Sequence, residues 1–215
     1  MVLSDFLPPG LFLGASLILR QRDRFLFGIR PPKNINGVEV LEITGIGGRL
    51  EPFDSSLTAC VEREAHEEIA AQINIVRCPL TLVVRGLADF QEFALQGDEQ
   101  PAALVFRRHR TPPHQPWHID HIDTGCIVVF LAELNGPATP STEIPYLIWL
   151  TPDQILNTAR TDLELEQLIT QGAELVTYGT HALPTAAIAR MTDSQEALSI
   201  ALGERTPKFY KSMLL

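Results

Sequence analysis

Gly47-Gly48-Arg49-Leu50-Glu51-Pro52-Phe53-Asp54, followed by Ser55 to Glu62 and then Arg63-Glu64-Ala65-His66-Glu67-Glu68-Ile69-Ala70-Ala71, is the stretch that decides the fold. It reads as a glycine turn leaving a strand, a short loop carrying Glu51 and Asp54, and a helix. Ser55 or Ser56 supplies the N-cap, its hydroxyl accepting from a first-turn amide that otherwise has no partner. Beyond it Leu57, Val61, Ala65 and Ile69 recur every four residues and form one apolar stripe. At about 100° per residue, Glu64 and Glu68 fall beside that stripe and Glu67 sits further round. Carboxylates edging a buried stripe repel one another and lose solvation unless a cation joins them. Oxygen ligands at i, i+3 and i+4 suit magnesium or manganese, and those ions suit phosphate substrates. On helix spacing alone, an ordinary solvated face explains Arg63, His66 and Glu67 equally well. The glycine turn and the loop acids ahead of the helix favour the metal site.

The same stretch resembles the Nudix box, G-x5-E-x7-R-E-U-x-E-E-x-G-U, where U is a bulky aliphatic residue. Gly48 matches the first glycine, Arg63-Glu64 the R-E pair and Glu67-Glu68 the E-E pair. Gly47 to Pro52 is similar to the G-G-x-x-E-P turn of many members. Asp54 stands where the loop glutamate belongs, and eight residues rather than seven separate it from Arg63. Ala65 and Ala71 replace bulky aliphatics, and Ala70 replaces the last glycine. Later in the chain, Glu143 with Ile148-Trp149-Leu150-Thr151-Pro152 resembles the E…W-L-T-P segment of the family.

The resemblance implies an α/β (α+β) fold, an α/β/α sandwich with a mixed central sheet. It implies a core domain over residues 1–175 with an enlarged insertion at about 87–123, and a helical C-terminal extension over 176–215 that packs on the domain or on a second copy in a homodimer. It further implies hydrolysis of a nucleoside diphosphate linked to another group, with Mg2+ or Mn2+ as cofactor. Glu64 and Glu68 would then be the principal metal ligands, and Glu67 would serve a second metal or position water. The Gly48 carbonyl would be a further ligand, and Arg63 would hold the loop by pairing with Glu51, Asp54 or a neighbouring glutamate. In many relatives a later loop supplies the general base; here Asp98, Glu99, Asp120 and Asp123 are candidates. Arg30, at a strand end near the expected cleft, and Arg49 are candidates for substrate phosphate. Phe90, Phe93, Phe106 and Trp117 are aromatics that either stack a base or belong to the core. A nucleotide-binding module with lost catalysis and an interaction scaffold are the competing classes.

The 215 residues, 45% of them hydrophobic, suffice for one domain of ample size. A net charge of −9 and a pI near 5.1 disfavour non-specific nucleic-acid binding. A small anionic substrate stays open, because bound divalent ions bring positive charge locally. Cys60, Cys78 and Cys126 are odd in number and widely spaced, as expected of reduced thiols in a cytoplasmic protein. The apolar run from Phe6 to Leu19 is too short and too broken to span a membrane and reads as a strand.

Strands are predicted over Leu11–Leu19, Arg24–Ile29 and Val38–Ile43, with Asn36-Gly37 as a turn. A further strand lies within Ile73–Val84, centred on Leu80–Val84, and others cover Ala102–Phe106, Gly125–Leu134 and Glu143–Leu150. The His118-Ile119-Asp120-His121-Ile122-Asp123 run splits its polar residues between two strand faces, which does not converge on one metal. Capping boxes at Thr151-Pro152-Asp153-Gln154 and Thr161-x-x-Glu164 predict two helices, and Thr192-x-x-Gln195 predicts a last one.

Overall fold

Apolar runs set the order of elements in the computed structural model, which describes residues 1–7, 10–86, 89–109, 122–179, 182–192 and 194–203. Strands β1 (Phe12–Gln21) and β2 (Arg24–Ile29) are followed by β3 (Lys33–Ile35), β4 (Val38–Thr44) and β5 (Ile46–Arg49). Helix α1 (Leu57–Ile69) leads to β6 (Gln72–Val76), β7 (Thr81–Gly86), β8 (Asp89–Phe93), β9 (Ala103–His109) and β10 (Ile122–Asn135). The remaining elements are β11 (Tyr146–Leu150), α2 (Pro152–Arg160), β12 (Leu163–Glu164), α3 (Leu165–Thr170), β13 (Glu174–Thr177), β14 (Ile188–Met191) and α4 (Ser194–Leu202).

All these strands join one mixed sheet whose centre is the parallel pair β1 and β10, with Gly14 opposite Ile127 and Leu19 opposite Ala132. Both strands are apolar through their middles, as strands covered on both faces must be. Helix α1 covers one face: Leu57, Val61, Ala65 and Ile69 pack with Ala15, Leu17, Leu19 and Phe130. The other face, through Ile18, Phe27, Val129 and Leu131, packs on Ile155 of α2, Leu168 of α3 and Leu198 of α4. The result is the mixed-sheet α/β/α sandwich expected from the sequence. No helix among the described residues is long and apolar enough to cross a membrane.

Local signals acted where their partners were local. Asn36 and Gly37 both take positive φ, 54° and 87°, and the Gly37 amide donates to Asn34 Oδ1 at 2.9 Å, closing the β3–β4 turn. Thr151 and Gln154 exchange both capping-box hydrogen bonds, with Pro152 in the first turn of α2. The Thr161-x-x-Glu164 box is corrected. Thr161 ends α2 as its C-cap, and Glu164 caps the six-residue α3 instead. Leu163 and Glu164 pair with Ala189 and Ile188, and that strand pairing competes with an earlier helix start. Within 73–84 there are two strands, β6 on β10 and β7 on β9, rather than one. The last strand, β14, runs parallel to β4, and β13 is antiparallel to β11.

Candidate functional site

The glycine turn is fixed by what lies behind it. β5 runs antiparallel to β1, placing Gly47 opposite Ser16 and Gly48 opposite Ala15. Gly47 has φ +150°, and a Cβ there would overlap the Ala15 carbonyl and stand 2.6 Å from Ser16 Cα. A Cβ on Gly48 would run into the Glu64 carboxylate. Glycine is required at both places, at the first by backbone and at the second by the site itself.

Helix α1 starts at Ser56, whose hydroxyl accepts from the Ala59 amide at 3.0 Å. It stops at Ala70, which adopts the left-handed conformation (φ 49°, ψ 33°) usually given to glycine. Between these ends, Arg63 gathers the loop. Its Nε and Nη2 donate to Asp54 Oδ1 and Oδ2, each at 3.0 Å. Its Nη1 donates to Glu64 Oε1 at 2.8 Å and to Glu67 Oε2 at 2.9 Å. The guanidinium also lies 5.4 Å from the centre of the Phe53 ring. Asp54 Oδ2 accepts from the Glu51 amide at 2.9 Å. Of the three partners offered for Arg63, Asp54 and the neighbouring glutamates are used, while Glu51 contributes its backbone. The shorter loop acid thus makes a two-pronged ion pair. Arg63, and then the Glu51 amide, hold the Asp54 carboxyl down at about 2.

Glu68 stands apart from that network. It is 5% exposed, and its Oε2 accepts from the Gly47 amide at 2.9 Å. Burial pushes its carboxyl up to about 8; the Gly47 hydrogen bond opposes this, Glu64 and Glu143 reinforce it, and Arg30 opposes it. Burial also raises Glu64, against the pull of Arg63 and with the repulsion of Glu67 and Glu143. Glu143 reaches this cluster from the turn before β11. Ser141 Oγ accepts from the Glu143 and Ile144 amides at 3.2 and 3.3 Å and sets that turn.

Box glycines, loop acid, arginine and glutamates meet at one edge of a sheet covered on both faces. This is the arrangement that the resemblance to the Nudix box implies. Neither a protein-family model nor a curated protein matches the chain. Among solved structures, similar folds include a Nudix hydrolase from Nitrosomonas europaea, at 16% identity and TM-score 0.40, covering 70% of this chain and 63% of that one. A Nudix-family hydrolase from Clostridium perfringens is similar at 13% identity and TM-score 0.41, covering 75% of this chain and 92% of that one. A third, described as a possible asymmetric diadenosine tetraphosphate hydrolase from Jonesia denitrificans, has 14% identity and TM-score 0.39, with 70% and 81% covered.

Among the described residues, no three His, Cys, Asp or Glu side chains group so as to hold a metal ion by themselves. The pair Glu64 and Glu68 nevertheless fits magnesium or manganese. Such ions are commonly held by one or two carboxylates and complete their shell with water and substrate phosphate. Two acids raised by burial are the donor set that such an ion neutralises.

Beside β1 and β5 is a pocket of about 190 Å3. Phe12, Gly14 and Ser16 line it from β1, with Arg30, Thr44, Gly47, Gly48 and Arg49 around them. Both candidate phosphate-binding arginines are therefore on its wall. Arg49 lies 5.2 Å from the centre of the Phe12 ring. Gly48 borders both the pocket and the Glu64 carboxylate.

The candidate bases are dispersed. Asp98 is exposed in the loop before β9. Glu99 accepts from the Thr58 amide at 3.2 Å, at the start of α1 and roughly 9 Å along the axis from Glu64. Asp123 pairs by backbone with Arg108 on β9. Asp120, Trp117 and the run from His118 to His121 lie outside the described residues. Of the aromatics considered for stacking, Phe90 packs on the core, Phe93 meets Phe6 edge-on at 5.0 Å, and Phe106 is buried beneath Arg85. Two residues escaped the sequence. Phe12 was read only as part of a strand, and Glu143 only as part of a family segment.

Proposed function

We propose that this chain is a metal-dependent pyrophosphohydrolase that cleaves the diphosphate bond of a nucleoside diphosphate linked to another group. The observation that supports it is Glu68, buried and, among the described residues, without a cationic hydrogen-bond partner, held by the amide of Gly47 on the wall of a pocket that Arg30 and Arg49 also line. Glu64 and Glu68 would hold Mg2+ or Mn2+, with Glu67 facing outward on the same helix. The bound ion supplies masking of phosphate charge and activation of water. Arg63 keeps Glu64 in place through its fork on Asp54. Arg30 and Arg49 bind and orient the phosphates. Glu143, whose charge is felt by both metal-binding carboxylates, takes the proton of the attacking water; it replaces Asp98, Glu99, Asp120 and Asp123 as the favoured base.

One observation favours nucleotide binding without cleavage: Arg63 Nη1 spans Glu64 and Glu67 and satisfies both. The deciding experiment measures phosphate or nucleotide release from a panel of nucleoside diphosphate derivatives with Mg2+ or Mn2+. Turnover by the wild type that collapses in Glu68→Gln supports the hydrolase. A folded wild type that binds nucleotides and turns over none of the panel supports the binding module.

A further inference from the structure

A half-exposed phenylalanine on the central strand calls for a physical cause. Phe12 opens β1, and the strand is buried from Gly14 to Leu19, yet the Phe12 ring remains 50% exposed at the mouth of the pocket. Leaving half of such a residue in water forgoes about half of the roughly 1.5–3 kcal/mol that burying it would contribute. Over the ring rests the Arg49 guanidinium, a planar cation. Arg49 is itself exposed, so its guanidinium is free to leave that ring for a ligand.

The pocket's size and chemistry limit what that ligand is. At about 190 Å3 it is smaller than the roughly 300–1,000 Å3 of sites that enclose a drug-sized ligand. It takes one ring system and leaves the rest of the molecule outside. Gly14 and Ile127 give the lining an apolar part, and the Ser16 and Thr44 hydroxyls, which donate to the Ile46 and Gly45 carbonyls at 3.3 Å each, keep lone pairs to offer. From this pocket the exit toward the acidic cluster crosses Gly47 and Gly48, past Arg30. A molecule with an aromatic ring at one end and phosphates at the other matches that sequence of surfaces.

We infer that Phe12 is the platform on which the base of the substrate stacks, with Arg49 moving from the ring to the phosphates as the base arrives. This rests on the proposed hydrolase only for the direction in which the phosphates lie. Phe12 is thus a specificity-determining residue that selects nucleotides over diphosphates lacking an aromatic group.

The test uses the full chain without metal and measures binding of the four common nucleoside 5′-monophosphates and of ribose 5-phosphate by calorimetry. The wild type is expected to bind at least one nucleotide about fivefold tighter than ribose 5-phosphate or better, the low end of what base–aromatic stacking gives. Phe12→Ala is expected to bring that ratio near one, and Phe12→Trp to restore it. Equal binding of all five ligands by the wild type overturns the inference, as does a preference that survives Phe12→Ala. A Phe12-dependent preference in a protein that hydrolyses nothing sustains the platform and removes the hydrolase. Hydrolysis with no preference for a base does the reverse.

Discussion

Glu68 accepts a hydrogen bond from the Gly47 amide at 2.9 Å, which ties the buried edge of α1 to the glycine turn across 21 residues. Turn and helix therefore form one unit, and the position of the Glu68 carboxylate depends on backbone that only glycine can adopt. In Gly47→Ala the new Cβ meets the backbone of Ala15 and Ser16, which has no side chain to move aside. Unfolding in urea should show a loss of about 3 kcal/mol or more. A loss below about 1 kcal/mol would mean that the turn relaxes freely.

The raised Glu68 carboxyl makes the metal-free protein sensitive to pH. Its folded value, about 8, exceeds the ordinary 4.5, so the folded state holds a proton that the unfolded chain has released. The stabilising contribution is complete below 4.5 and is lost as pH rises toward 8. Across that window stability should fall by up to about 1.4 kcal/mol per pH unit. Thermal melts in chelator should show this slope in the wild type and a flatter one in Glu68→Gln, and Mg2+ should raise the wild-type Tm more at pH 8 than at pH 5.5.

Asp54 behaves in the opposite sense. Its carboxyl is lowered from 3.8 to about 2, so the stability it contributes is present above 3.8 and disappears as pH falls to about 2. Asp54→Asn should melt at a lower temperature than the wild type at pH 7. The gap should narrow through the acid range, as followed by circular dichroism. Equal melting temperatures at pH 7 would leave the Arg63 fork without energetic weight.

Ala70 ends α1 in a left-handed conformation that costs an L-residue about 1–2 kcal/mol relative to glycine. Ala70→Gly should therefore stabilise the protein by about 1 kcal/mol in urea titrations, after the extra chain entropy of glycine is subtracted. A destabilised variant would show that the Ala70 methyl contributes contacts outweighing its strain.

What was legible in the sequence was what short-range chemistry determines. The Ser56 cap, the four-residue stripe from Leu57 to Ile69 and the Asn36-Gly37 turn each act within a few residues. Their positions followed from pattern. The β1 and β10 strands were visible because a strand buried on both faces needs a continuous apolar run. Thr161 misled because its capping pattern is local while the decisive pairing, Leu163 with Ala189, is not. Glu143 and Phe12 were hidden for the same reason. Glu143 joins an acid cluster 75 residues earlier in the chain, and no spacing in the sequence reports that approach. Phe12 looks like any strand phenylalanine until its exposure is known. Glu99 shows the converse: an acid in a suitable loop, committed to the first turn of α1.

In the proposed hydrolase, Glu68 and Glu64 hold a divalent ion that acts on a diphosphate. The most direct measurement is the Mg2+-dependent rate at saturating substrate in the wild type and in Glu68→Gln, with both proteins shown to be folded. Loss of one metal-binding carboxylate should lower that rate about 10²–10⁴-fold, several kcal/mol of transition-state stabilisation. A variant that retains the wild-type rate, or a wild type whose rate ignores Mg2+ and Mn2+, would contradict the account.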